Sequence, residues 1–165
     1  MTLRLSKCAL LAAVGLFYLL VVFNNLTDYN SNYQFVHHVL MMDSTFPGNS
    51  GMWRAINSTL VHHGFFDSII IWEILTTILC LWGALNLVRN LRKPAAIFNS
   101  AKRVGIAALT LSLLMWFIAF LSVGAEWFLM WQSRTWNGQE AAGRMFEVIG
   151  IILIYLSLPD AETQP

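Results

Sequence analysis

Charge is scarce in this chain. Only 12% of its 165 residues are Asp, Glu, Lys or Arg, about half the ~25% usual in soluble domains. A soluble fold of this size needs more polar surface than that, so a soluble enzyme, a disordered chain and a nucleic-acid-binding domain are excluded. Ten basic residues face nine acidic ones, for a net charge of +1. No strong field draws in polyanions, and no nucleic-acid partner is expected. Cysteine is limited to Cys8 and Cys80, both inside apolar runs. No exported disulfide is expected from them. Proline occurs four times and never inside a long apolar run, so proline breaks none of these runs. Walker, GxSxG, HExxH and CxxC patterns are missing. No catalytic residue, cofactor or metal site is therefore expected, and the chain reads as a non-enzyme.

What is abundant is hydrophobicity, at 57% of residues. A spanning helix needs ~20 mostly apolar residues. Four runs meet or approach this: about Leu5 to Phe23, Phe65 to Val88, Val104 to Trp131 and Gly138 to Leu158. The last is purely apolar only from Val148 onward and must include Arg144 and Glu147 to span. The first run begins with basic residues, as a signal peptide does, but no small-residue cleavage site follows it. It reads as a retained anchor. The predicted fold class is all-α: a four-helix transmembrane bundle forming a single domain over residues 1–158.

Basic residues set the expected orientation. Arg4 and Lys7 precede the first run, and Arg89, Arg92, Lys93, Lys102 and Arg103 lie between the second and third. The positive-inside rule then places both termini in the cytoplasm. Trp53, Trp127, Trp131 and Trp136 fall toward the outer side, where aromatic belts form. The lipid bilayer is the first expected partner. The polar tail, residues 159–165, reads as disordered.

The outer loop, residues 24–64, is long and apolar. Tyr33 to Met42 reads as a short amphipathic helix, with Phe35, Val36, Val39, Leu40 and Met42 near helical spacing. Ser31 or Asn32 is the candidate cap. Phe46-Pro47-Gly48-Asn49 signals a turn. Gly51 to Ile56 reads as a second short helix, capped by Asn49 or Ser50. The loop is predicted to form a small helical cap on the outer side. In the second outer connection, Asn137 with Glu140 fits a capping pattern that starts the fourth helix near Gly138.

Four ionisable residues fall within three predicted spans: Glu73, Glu126, Arg144 and Glu147. At a rise of 1.5 Å per residue, they lie about 7–13 Å below the outer helix ends. They are predicted to share one buried polar layer, as an ion-pair cluster, a ligand site or an interface. The pairs His37-His38 and His62-His63 are both placed outside the membrane. One histidine from each, with Asp43 or Asp67, is a possible ligand set, although exposed or interface histidines are the expected reading. Small residues at Ala12, Ala13, Gly15, Gly105, Ala107 and Ala108 allow close helix approach.

The stretches Tyr33 to Pro47, Met52-Trp53-Arg54-Ala55, Glu126 to Ser133 and Trp136 to Gln139 resemble the bacterial family of predicted small integral membrane proteins known as domain of unknown function 2165. The resemblance covers nearly the whole chain. It implies a four-helix, multi-pass protein of the bacterial inner membrane. It assigns no activity, so it transfers no catalytic residue.

Small size and apolar, Trp- and Met-rich outer loops suit an interface. The expected function is a non-catalytic accessory or assembly subunit of a larger membrane complex. Its expected partners are other membrane protein subunits or further copies of itself. Trp53, Arg54, Trp127, Trp131, Trp136 and Asn137 are its candidate outer-loop contacts. The alternative is a small-solute, ion or lipid-binding or transport protein that uses the acidic layer.

Overall fold

The computed structural model describes residues 1–162, which are mostly helical and contain no β-strand. Helix α1 is Thr2–Thr27, α2 is Tyr29–Met41 and α3 is Thr59–Arg89. Helix α4 is Ala95–Ala101, α5 is Arg103–Leu114 and α6 is Gln139–Ser157. Helix α5 runs on into a π-wound segment, Met115–Trp127. Single 3-10 turns occupy Met52–Arg54 and Met130–Gln132.

Three helical stretches are long and apolar enough to cross a membrane: Thr2–Thr27, Thr59–Arg89 and Ala95–Trp127. Helix α6 forms over nearly the expected residues. Its 19 residues include Glu140, Arg144 and Glu147, and this charge keeps its composition from marking it as a span.

Several expected boundaries are corrected. Helix α3 begins at Thr59 rather than Phe65, so His62 and His63 stand on a helix. The third apolar run stops being helical at Trp127, not Trp131, because Leu129 takes a left-handed conformation with φ of 55°. The basic linker is not plain loop. Pro94, with extended ψ of 151°, starts α4, as its fixed φ and missing N–H favour at a helix start. The α2 caps are also corrected: Ser31 and Asn32 lie inside the helix, and Asp28 is the N-cap residue. Asn49 does not cap a second α-helix. Its Oδ1 accepts the Gly51 N–H at 2.7 Å and starts the short 3-10 turn.

The chain divides into two compact units. One comprises Met1–Val21, Glu73–Leu113 and Val148–Pro165, and the other Val22–Trp72 and Leu114–Glu147. We call them the inner and outer units, after the membrane sides expected from the sequence for their residues. In the inner unit, Leu11, Tyr18, Cys80, Leu87, Leu109 and Leu156 are buried. Glycines bring helices together here. A Cβ on Gly15 would meet Leu81 Cδ2 at 2.7 Å, and one on Gly105 would meet Leu11 Cδ2 at 2.6 Å. The Tyr18 hydroxyl lies 2.6 Å from Ser112 Oγ, so this buried polar pair satisfies itself. In the outer unit, the expected helical fold of the long loop is present. Helix α2 buries Tyr33, Val36, Val39 and Leu40, and the Ile56 N–H donates to the Leu40 carbonyl at 2.9 Å.

At Gly83 the near neighbour is backbone. A Cβ on Gly83 would stand 2.9 Å from Gly105 N and 3.0 Å from its Cα. Backbone cannot yield as a flexible side chain does, so Gly83→Ala is expected to cost about 1–3 kcal/mol. Gly150 faces nothing within 4 Å, so Gly150→Ala gains helix propensity of up to about 1 kcal/mol. Thermal unfolding in detergent should lower Tm for the first variant and hold or raise it for the second.

Candidate functional site

The outer unit gathers the histidines, tyrosines and tryptophans. His62, on the first turns of α3, is buried. Its Nε2–H donates to the Ile56 carbonyl at 2.8 Å. That leaves Nδ1 of the neutral ring as an acceptor, and His37 Nδ1, 2.9 Å away, is its donor. Burial first, then the neighbouring His62 and His38, hold His37 below the ordinary histidine value, with Asp43 opposing them. His38 bonds Asp43 at 2.6 Å and stacks on Trp136, with ring centres 4.5 Å apart.

A second relay lies beside the first. The Tyr29 hydroxyl donates to Asp67 at 2.8 Å, which leaves its oxygen to accept from His63 Nδ1 at 2.9 Å. Burial, then the bond and charge of Asp67, push the Tyr29 phenol up to about 12. Tyr33 stacks on His63 at 4.3 Å and on His37 at 5.8 Å. The two histidine pairs are therefore interlocked. Each His–His or His–Asp contact is a hydrogen bond, and no group of three or more His, Cys, Asp or Glu among the described residues is arranged for a metal ion.

Arg54 organises the outward-facing tryptophans. Its Nη1 donates to the Glu126 and Trp127 carbonyls at 3.5 and 3.2 Å. These carbonyls end the long helix, where the backbone dipole favours a cation. The same guanidinium lies over Trp53 and Trp127, at 5.4 and 5.2 Å, and the two indoles meet edge to face at 5.7 Å. Trp53 remains 71% exposed, with Trp127 and Trp131 also exposed. Two further ties join the outer segments. Ser44 Oγ donates to Ser133 Oγ at 2.8 Å, and the Phe46 N–H donates to Gln132 Oε1 at 3.0 Å. Trp136 is half-buried under His38. Asn137 Oδ1 accepts the Gln139 N–H at 3.0 Å at the start of α6, while Glu140, the other half of the expected capping pattern, pairs with Arg144.

The four ionisable residues of the expected layer differ in burial. Glu73 is buried at 4% exposure, but Glu126, Arg144 and Glu147 are exposed. Arg144 reaches back to Glu140 at 3.6 Å, with its side chain 70% exposed, and not forward to Glu147. Helical spacing placed these residues at a depth, but it does not say which helix face turns inward.

The outer unit also contains an apolar cavity of about 220 Å³. It lies among α2, the first turns of α3 and the π-wound segment. The unbroken apolar run from Met115 to Phe120 gave no sign of it, because periodicity reads faces and not helix winding.

In the inner unit the tail is a second correction, since residues 159–162 are held in place. Asp160 forms ion pairs with Lys7 at 2.7 Å and with Lys102. Lys7 and Lys102 also donate to the Leu158 carbonyl, each at 2.7 Å. Asn99 exchanges two hydrogen bonds with the Asp160 backbone. Arg4 donates to the Lys93 and Ala161 carbonyls at 2.7 and 3.0 Å, and the Glu162 carboxylate accepts the Ala95 N–H at the start of α4. Burial raises the Asp160 carboxyl, but the bonds and charges of Lys102 and Lys7 outweigh it and hold the group below the usual carboxylate value. Sequence reading missed Asp160. The available signal was two lysines at the ends of apolar helices, which need an acceptor when buried.

The family model described as predicted small integral membrane protein, domain of unknown function 2165, matches residues 3–159. Neither the curated proteins nor the solved structures contain a significant match.

Two outcomes follow from these clusters. Asp160→Asn leaves two buried ammonium groups without their counter-charge, and should destabilise the protein by about 3 kcal/mol. Unfolding in detergent measures this. His37 binds its proton less readily when folded than its ordinary value of 6.5, so the unfolded chain takes up more protons below that pH. Stability of the outer unit is therefore present above 6.5 and falls as pH drops below it. Hydrogen-exchange protection factors of the α2 amides, corrected for the intrinsic pH dependence of exchange, should fall as pH drops below 6.5, and His37→Gln should flatten that dependence.

Proposed function

The chain belongs to this family of predicted small integral membrane proteins, and from that premise we propose that it is a non-catalytic accessory or assembly subunit of a larger complex in the bacterial inner membrane. In this reading it crosses the bilayer four times with both termini in the cytoplasm. The 19 residues of α6 span about 28 Å at 1.5 Å per residue, close to the ~30 Å hydrocarbon core. The basic residues of the α1 start and of the α3–α5 connection belong on the cytoplasmic side by the positive-inside rule.

One observation carries the reading: the charged face of α6 is exposed. Glu147 stands about 12 Å along the helix from Gln139, near mid-membrane for a spanning helix. A charge facing lipid there costs several kcal/mol, about 3 on insertion scales. Such residues ordinarily meet protein or water, and a polar surface on a neighbouring subunit supplies that cover. The exposed Trp53 and Trp127, held in place by Arg54, and the exposed Trp131 extend the contact at the outer side. Aromatic residues of this kind are enriched at interfaces.

The test is purification from the native membrane in mild detergent, with intact complexes weighed by mass spectrometry. The expected result is a second protein in fixed stoichiometry. Arg144→Ala with Glu147→Ala should reduce its recovery about tenfold, equivalent to ~1.4 kcal/mol of contact energy. Trp53→Ala with Trp131→Ala should also weaken recovery. A lone protein, a homo-oligomer or a complex indifferent to all four changes overturns the reading.

A further inference from the structure

We infer that the cavity of the outer unit is a binding site for the hydrocarbon chain of a bilayer phospholipid, whose headgroup stays outside. The hollow exists because Ala119 and Gly124 project almost nothing into it, and because the backbone between them is wound with the wide π turn. Such turns recur at functional sites. The opposite walls are firm: Val39, Leu40, Phe128 and Met130 are all buried. These walls do not close the space, so its shape belongs to the fold.

The lining chemistry selects the occupant. Ser68 and the Trp72 indole N–H are the polar side-chain groups among the residues around the cavity, and the Ser68 hydroxyl proton is given to the Phe65 carbonyl at 2.7 Å. No charged residue and none of the four histidines lines the space. A bound water needs two to four polar partners, which this lining does not offer. A polar solute would lose its hydration without replacement. A hydrocarbon loses nothing. At about 220 Å³ the cavity exceeds the ~150 Å³ that accommodates a benzene ring in an apolar protein interior. It takes the end of one chain and not a whole lipid.

The mouth selects the source. Phe65 and Ile118 line the cavity and are exposed, at 38% and 43%. They stand on the two helical stretches Thr59–Arg89 and Ala95–Trp127, both long and apolar enough to cross a membrane. The medium outside those faces is lipid, so a chain enters sideways from the bilayer. This site is separate from the exposed charges of α6 that carry the subunit reading, and each stands without the other.

The protein is reconstituted in nanodiscs of phosphatidylcholine carrying a diazirine at the chain end, irradiated and mapped by peptide mass spectrometry. Adducts should concentrate on residues 65–72 and 118–128, above the level at the lipid-exposed Ile151. Ala119→Leu fills the hollow, and should cut the adducts on 65–72 about tenfold while leaving those at Ile151 unchanged. Ser68→Leu fills it from the facing wall and serves if the first variant does not fold. Even labelling along the exposed helices, or labelling that neither substitution reduces, overturns the proposal. Labelling by a free diazirine fatty acid but not by the phospholipid overturns the assignment of the source.

Discussion

An apolar surrounding offers no hydrogen bonds, and every polar group carried into it must find its partner within the chain. This constraint shapes most of the polar detail described above. In the inner unit, three cations, Arg4, Lys7 and Lys102, are buried. They draw the Leu158 and Ala161 carbonyls and the Asp160 carboxylate onto themselves. A buried ion pair gives little net stability when complete, yet its disruption is costly. The tail is therefore held by the needs of the lysines, not by any helical or apolar preference of its own.

The outer unit meets the same constraint differently. Helix α2, the turn after it and the start of α3 bring four histidines, two tyrosines and two aspartates together, and they satisfy each other in short relays. In the His62–His37 bond His37 Nδ1–H donates and His62 Nδ1 accepts, and the lowered His37 value ties the local packing to pH. Arg54 closes the end of the π-wound helix by satisfying carbonyls that the winding leaves free, and its flat cation supports two indoles. The stretches that carry the family resemblance lie largely on these contacts: Tyr33 to Pro47 in α2 and the turn after it, Arg54, and Glu126 to Gln139. The shared motif can thus be understood as the set of residues that lets two outer segments hold each other.

These arrangements also show why function is hard to read from such a chain. Charges on α6 and tryptophans at the outer end remain exposed after the chain has satisfied its own needs. The apolar cavity remains open for the same reason. We propose that each meets a partner outside the protein. A subunit surface and a lipid chain are the partners whose chemistry fits.

The sequence by itself determined the class. Scarce charge, 57% hydrophobic residues and long runs without proline leave no alternative to apolar helices, because composition and periodicity act locally. The same locality made the helix of the outer loop, the Asn137 cap and the close packing at Gly15 and Gly105 legible. Tertiary structure alone decided which way the charges point. Glu73 turned inward while Glu126, Arg144 and Glu147 turned outward, since helical spacing gives depth but not the direction of a neighbour. It also decided that Asp160, some 150 residues from Lys7 in the chain, is its counter-ion. The cavity beside Ala119 and Gly124 is likewise a product of winding and packing. Pairings between distant segments and the space left between them depend on where whole helices come to rest, and no local pattern records that.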